Sequence, residues 1–327
     1  MSKAIKILFL AAEADPFVKI GGLGDVAGSL PQAVNDLPVP IDVKVVLPYY
    51  PFMNLESFNP QPIASFGIRE MERDILADAV QISTDGVSMY FIRGQPITRM
   101  DSVYSDDGYR DGRKFTFFSL AALELARSLD WQPDILHAHD WHTSPAVYKL
   151  SLIRGDDPFF KQTRSLLTVH NLPYLGHGAD QALAEFGLPP AAGSPLPDWA
   201  QHLPLPLGLL TADKINTVSR GYANEILTPA FGAGLEGFLQ SRKNDIHGIL
   251  NGLDMESWDP ERDADIVENF GMGDWRLRRE NKTALLEEVN LDPDPERPLL
   301  AMINRMDHQK GVDLVPEALR ALQDEEL

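Results

Sequence analysis

Short apolar runs alternate with segments of helical spacing along most of the chain, and this alternation constrains the fold more than any other feature. Ile5–Ala11 is apolar apart from Lys6, as expected for a parallel strand that is covered on both faces. Further strand candidates are Val43–Leu47, Ile135–His139, Leu166–His170, Lys214–Val218 and Ile246–Leu250. Helix candidates are Asp25–Val34, Lys114–Leu129, Pro145–Ile153 and Tyr222–Leu227. We therefore predict an α/β, doubly wound, Rossmann-like domain.

Two segments depart from this alternation. Val80–Ser83 and Val87–Ile92 flank Asp85 and Gly86, a pair that favours a hairpin, so we expect an antiparallel addition to the sheet. Residues 176–208 are rich in Gly, Pro and Ala, and we expect them to form an irregular excursion on the surface.

A break near Trp258–Pro260 marks a predicted domain boundary, which gives domains 1–260 and 261–327. The second range contains a helix, an apolar strand and another helix, predicted at Arg276–Val289, Pro298–Ile303 and Val312–Leu322. An apolar parallel strand needs partners on its flanks. We therefore expect this range to be the first βα unit of a second Rossmann-like domain.

Composition excludes several classes of function. The formal net charge is −19, from 29 Lys and Arg against 48 Asp and Glu, which argues against a nucleic-acid partner. The chain has no Cys, so disulfides and thiolate metal sites are excluded. No apolar run reaches the ~18 residues of a membrane span. The start of the chain fits a buried strand better than a signal peptide, so we expect a cytoplasmic protein.

A glycine-rich loop, Lys19–Val26, lies between the first strand and its helix. Glycines let backbone N–H groups approach an anion, and a helix N-terminus adds positive potential. A phosphate or diphosphate cradle is one interpretation, and a flexible turn with a solvated Lys19 is the other. The glycine spacing does not fit the dinucleotide fingerprint.

A histidine cluster, His137–His142, follows a later strand and has the spacing H-x-H-x-x-H. This spacing can bind zinc in a metal hydrolase, although Asp140 stands one place earlier than in that motif. Asp140 and the imidazoles could instead offer polar groups to the hydroxyls of a ligand. Histidines packed in the core are the third possibility.

Two more segments carry polar groups where a strand is expected to end. His170 and Asn171 follow Thr168 and Val169, at the same predicted edge of the sheet. Arg305 and Lys310 follow the predicted strand of the second range, where they could meet a phosphate ligand or form a solvated basic loop.

Together these motifs resemble bacterial glycogen synthases and plant starch synthases, which form glycosyltransferase family five. The motifs that match in family order are Lys19–Val26, His137–His142, Val169–Leu172, Lys214–Ser219, Thr228–Gly237, Gly248–Asp254, Glu280–Lys282 and Arg305–Gly311. The resemblance implies a GT-B fold, in which range 1–260 is the acceptor-side catalytic domain. Range 261–327 would hold the interdomain segment and the truncated start of the nucleotide-sugar-binding domain.

The resemblance also implies an activity. A retaining enzyme would transfer glucose from ADP-glucose, with UDP-glucose less favoured, to an α-1,4-glucan acceptor, without metal or cofactor. The implied catalytic residues are His170, Arg305 and Lys310. The implied substrate-binding residues are Lys19, Gly21, Gly22, Glu13, Asp25, His139, Asp140 and Asn171.

Family members are longer than this chain, which leaves a second hypothesis. The chain could be a catalytically incompetent half-enzyme, or a glucan-binding chain that needs a missing C-terminal domain. On that hypothesis we expect negligible transferase activity from the 327 residues alone.

Overall fold

The computed structural model describes residues 3–84, 86–294, 296–304, 306 and 310–323. Two compact units divide the chain, Met1–Gly252 and Leu253–Leu327. The division falls close to the break that the sequence predicts near residue 260.

The first unit contains one sheet of nine strands, in the order β3-β4-β5-β2-β1-β6-β7-β8-β9. The strands are β1 Ile5–Leu10, β2 Ile41–Pro48, β3 Gln61–Glu70, β4 Arg73–Thr84, β5 Val87–Gly94, β6 Ile135–His139, β7 Arg164–Val169, β8 Lys214–Thr217 and β9 Ile246–Gly248. From β5 to β9 along this order every pairing is parallel, so the carboxyl ends of these strands meet at one edge. We call this edge the rim.

Helices cover the parallel strands. The first unit contains helices α1 Gly22–Asn35, α2 Gln95–Thr98, α3 Gly108–Ser128, α4 Asp140–Ile153, α5 Asp180–Glu185, α6 Pro204–Thr211, α7 Arg220–Glu225 and α8 Glu236–Ser241. The second unit contains α9 Trp275–Glu288 and α10 Val315–Gln323. Short 3-10 helices lie at Glu56–Phe58, Asp198–Ala200 and Lys243–Asp245. The core lies on β1, where Leu8, Phe9 and Leu10 are buried, and under α3, which is capped by Asp107 and buries most of its residues.

The predicted hairpin is present, because β4 pairs antiparallel with β5. It is part of a larger addition: β3, which the sequence did not predict, pairs antiparallel with β4 at the edge of the sheet. A half-exposed edge strand of mixed polarity carries neither a continuous apolar run nor a clean alternation, so its pattern was not recognised.

The expectation for residues 176–208 was only partly right, because residues 188–197 are irregular but the rest of the segment is largely ordered and packed. This segment contains α5 and the start of α6, and its leucines are part of the core, including Leu196, Leu205 and Leu207. Pro204 starts α6, where a missing N–H costs nothing. Pro204 therefore begins a buried helix, whereas Pro189, Pro190 and Pro195 lie in exposed irregular backbone.

In the second unit, Pro298–Ile303 forms no strand, contrary to the prediction. A single strand without neighbours leaves its N–H and C=O groups unpaired, and the described residues of this unit include no second strand to pair with it. The predicted helices correspond to α9 and α10. Among the described residues, no helix is both long and apolar enough to cross a membrane.

Candidate active site

The glycine-rich loop after β1 leads into α1, which begins at Gly22. Lys19 forms an ion pair with Asp25 in the first turn of that helix, at 2.5 Å, and both side chains are half-exposed. The Asp25 partner raises the pKa of Lys19. No side chain caps the helix N-terminus at Gly21. The loop therefore presents the Lys19–Asp25 ion pair and the uncapped N-terminus of α1 on the rim.

Two glycines of the loop have free space at the position where a side chain would begin. A Cβ placed on Gly22 would meet no atom within 4 Å, and one on Gly21 would meet only Glu13 Oε1, at 3.9 Å. Internal packing therefore does not require glycine at either position. Gly24 differs, because a Cβ there would lie 3.0 Å from the Lys19 side chain.

The Glu13 carboxylate is hydrogen-bonded to the backbone of the glycine loop. Its Oε2 accepts hydrogen bonds from the backbone N–H of Ile20 and from that of Gly21, the latter at 3.1 Å. Its Oε1 accepts one from the Tyr104 hydroxyl at 3.0 Å. Burial raises the pKa of Glu13, and the hydrogen bonds from these three donors oppose that shift. Glu13 therefore acts on the loop backbone instead of facing solvent.

Asp140 joins the ends of two neighbouring strands, β6 and β7. It has a left-handed backbone conformation, with φ of 55°, which Asp tolerates better than most residues. Its Oδ1 accepts hydrogen bonds from the backbone N–H of His170 at 2.7 Å and of Asn171 at 3.3 Å. Burial raises its pKa, against the opposing effect of His170 and these bonds. The carboxylate thus fixes the backbone that carries His170.

His139 lies behind His170 and not on the rim surface. Its side chain is completely buried, and its Nδ1 is 2.9 Å from Nε2 of His170. The role of His139 in binding substrate stays a prediction. Its place in the fold is that of a residue that contacts His170.

The other histidines of the cluster have separate surroundings. His137 Nε2 is 2.8 Å from the Thr168 hydroxyl, and His142 packs against the rings of Tyr104 and Phe115. Burial lowers the pKa of His137 to about 3 and that of His142 well below its usual value. Within the part of the chain that the structure describes, no group of His, Asp or Glu is arranged to hold a metal ion. The geometry therefore favours neutral, packed imidazoles over a zinc centre.

The structure brings most of the expected residues to the rim. The glycine loop with Glu13 and Asp25 lies after β1, and Asp140, His170 and Asn171 lie after β6 and β7, which are the next strands in the sheet. Lys310 is exposed in the second unit. Arg305 lies outside the described residues. Sequence reasoning missed Tyr104, because nothing in its local pattern signals a bond to a residue 91 positions away.

Comparisons with known proteins show which family the chain belongs to. The model of the starch synthase catalytic domain matches residues 6–241, a range that includes every rim residue of the first unit. A glycogen synthase from Geotalea daltonii is 36% identical over 96% of this chain and 66% of its own length. One from Streptococcus gordonii is 37% identical, with the same coverage of 96% and 66%. The chain belongs to the starch synthase catalytic domain family.

A solved structure confirms the predicted α/β fold of GT-B type. The catalytic domain of starch synthase IV from Arabidopsis thaliana, bound to ADP and acarbose, matches with a TM-score of 0.89 and 28% identity. The match covers 98% of this chain and 67% of that chain. The chain thus spans about two thirds of the length of the relatives it matches.

Proposed function

We propose that the protein is a retaining glucosyltransferase that extends an α-1,4-glucan from ADP-glucose. One observation carries the proposal: the glycine loop and the Asp140–His170–Asn171 centre follow β1, β6 and β7, three consecutive strands of the sheet. Open α/β sheets bind ligands at this edge. The family supplies the chemistry, since the curated relatives are glycogen synthases.

The donor diphosphate would lie over the glycine loop. The N-terminus of α1, a helix of 14 residues, favours an anion there, and Lys19 adds a positive charge. The open space above Gly22 supports a close approach of the sugar or diphosphate to the backbone. Lys310 and Arg305 would neutralise the diphosphate as it leaves.

In the transfer step, the bond from the anomeric carbon to the diphosphate breaks and a bond to the acceptor hydroxyl forms. The acceptor proton leaves with the diphosphate, and the new bond has the same α configuration. His170 would border the reacting sugar, with its backbone carbonyl near the positive charge that develops. Asp140 supports this role by holding the His170 backbone, so little reorganisation is needed during reaction.

The choice of donor follows the solved relative, whose structure contains ADP and acarbose. We therefore place ADP-glucose first and UDP-glucose second, and the proposal includes no metal or cofactor. It keeps the cytoplasmic location that the sequence predicts.

The test is incorporation of labelled glucose into glycogen by the purified protein, with ADP-glucose and UDP-glucose in parallel. We expect incorporation from ADP-glucose at a higher kcat/KM. Incorporation from UDP-glucose alone would overturn the donor assignment. No incorporation from either donor, with retained binding of glycogen, would favour the glucan-binding alternative and contradict the proposal.

A further inference from the structure

Lys114 is a buried cation that the proposed reaction does not use. It lies in α3 with no exposed surface. Its Nζ donates to the Val103 carbonyl at 2.6 Å and to Asp111 Oδ1 at 2.7 Å, and lies 4.5 Å from the centre of the Phe115 ring. A lysine this deeply buried is costly unless its partners satisfy it. The Lys114 ammonium therefore depends on its hydrogen bonds to Asp111 and to the loop that contains Val103.

The loop in question is Val103–Ser105. Lys114 holds the residue before Tyr104, through the Val103 carbonyl. Asp111 holds the residue after it, because its two carboxylate oxygens accept from the Ser105 N–H at 2.8 Å and the Ser105 hydroxyl at 3.0 Å. The buried ion pair thus fixes the backbone on both sides of Tyr104.

Tyr104 connects this backbone segment to the glycine loop through Glu13. Its hydroxyl donates to Glu13 Oε1, and Glu13 Oε2 accepts from the N–H groups of Ile20 and Gly21. The path from α3 to the start of α1 therefore consists of hydrogen bonds joined by the covalent chain of residues 103–105.

We propose that Lys114 and Asp111 are positioning residues that hold the glycine loop in its ligand-ready conformation through Tyr104 and Glu13. They touch no reacting atom. Their effect on transfer rests on the proposed function, whereas their effect on the loop does not. Breaking the ion pair releases Tyr104, which in turn frees the Glu13 carboxylate to move away from the loop amides.

The direct test is hydrogen exchange at the Ile20 and Gly21 amides, measured by mass spectrometry without any substrate. Lys114→Met keeps most of the side-chain volume and removes the charge and both bonds, while Asp111 keeps its bonds from Ser105. We expect exchange at the two loop amides to become about tenfold faster. With ADP-glucose as donor, kcat/KM should fall by about tenfold or more, as expected when a substrate is mispositioned.

Arg113→Met is the matched control. Arg113 is the neighbouring residue on α3 and also pairs with a buried carboxylate, that of Glu70, which would keep its bond from Arg73. Glu70 ends β3 and has no bond to the Tyr104 path among the hydrogen bonds of the described residues. We expect Arg113→Met to lower the melting temperature while leaving exchange at Ile20 and Gly21 unchanged.

A double-mutant cycle separates positioning from general loss of stability. Tyr104→Phe removes only the hydroxyl that reaches Glu13, so it should reproduce the faster exchange. Combined with Lys114→Met, it should add little, because both changes cut one path. Additive effects, or unchanged exchange at Ile20 and Gly21 in Lys114→Met, would overturn the proposal.

If Lys114→Met does not fold, Ser105→Ala replaces it, since it removes one of the two Ser105 bonds to Asp111. Unchanged exchange at the loop amides in both Ser105→Ala and Tyr104→Phe would also overturn the proposal. Faster exchange without any transferase activity would support the positioning path and count only against the proposed function.

Discussion

For single residues, three histidines of the cluster set a pH dependence of folding: His139 and His142 are buried and His137 is partly buried. Burial lowers the pKa of His137, His139 and His142, to about 3 for His137. In the unfolded chain an imidazole takes up a proton near pH 6.5. Below that pH the unfolded chain binds protons that the folded chain does not. Each histidine therefore lowers the free energy of unfolding as the pH falls from about 6.5 towards its folded pKa, and has no such effect above that range.

His137→Asn should reduce this dependence. Between about pH 6 and pH 4, we expect the free energy of unfolding to fall less steeply than in the parent protein, by about 1.4 kcal/mol per pH unit. Urea unfolding at several pH values measures it. Glu13 and Asp140, whose pKa values burial raises, act in the opposite direction, and the comparison removes their contribution. His202→Asn, at an exposed position, is the control; parallel curves for the parent and His137→Asn would contradict the prediction.

Gly22→Ala separates folding from donor binding. A Cβ at this position meets no atom within 4 Å, and alanine favours a helix start over glycine, so the free energy of unfolding should stay equal or rise. If the donor approaches the backbone here, the KM for ADP-glucose should rise about tenfold. Steady-state kinetics and urea unfolding check both parts. An unchanged KM would remove Gly22 from the donor site.

The sequence predicted the members of the rim better than their contacts. Motif order identified the glycine loop, Asp140, His170 and Asn171. It did not show that His139 lies behind His170, because period-two spacing places a side chain on a face without saying what covers that face. Tyr104 and Lys114 were missed for a related reason: their partners are set by tertiary packing.

Among the elements, the parallel strands were predictable, including β9 at one edge of the sheet, whereas the antiparallel strand β3 at the other edge was not. β1, β2, β6, β7 and β8 are buried runs whose bounds lie within a few residues of the predictions. β3 lies at an edge and was missed. The Pro298–Ile303 run shows the converse, since an apolar run without a pairing neighbour forms no strand.

Gly208 of α6 lies against Ser144 of α4, and this close packing predicts the effect of a larger residue at position 208. A Cβ on Gly208 would lie 2.7 Å from the Ser144 side chain and 3.1 Å from Leu167. Gly208→Ala should therefore destabilise the protein by about 1–3 kcal/mol, as overpacking does. Gly237→Ala in α8, where a Cβ meets nothing within 4 Å, should be neutral or slightly stabilising. Thermal unfolding compares them; equal melting temperatures would mean that α6 is not tightly packed.

For the whole molecule, the proposed function assigns a role in the transfer step to Lys310 of the second unit. Lys310 is exposed in the second unit, and no ion pair of the described residues includes it. Lys310→Ala should change the free energy of unfolding by less than about 0.5 kcal/mol. It should lower kcat by about a hundredfold if the residue neutralises the leaving diphosphate.

Exposed Lys161 provides the control for that substitution, as Lys161→Ala. Near-normal kcat and KM in Lys310→Ala would remove this residue from the mechanism without affecting the family assignment.

The proposed function is the addition of glucose through α-1,4 bonds to the non-reducing ends of a glucan. The most direct measurement is to label glycogen with the purified protein and ADP-[14C]glucose, and then digest the product with β-amylase, which releases maltose from such ends. We expect polymer-bound label that β-amylase releases as maltose. Label that stays in ADP-glucose, appears only as free glucose, or resists β-amylase would contradict it.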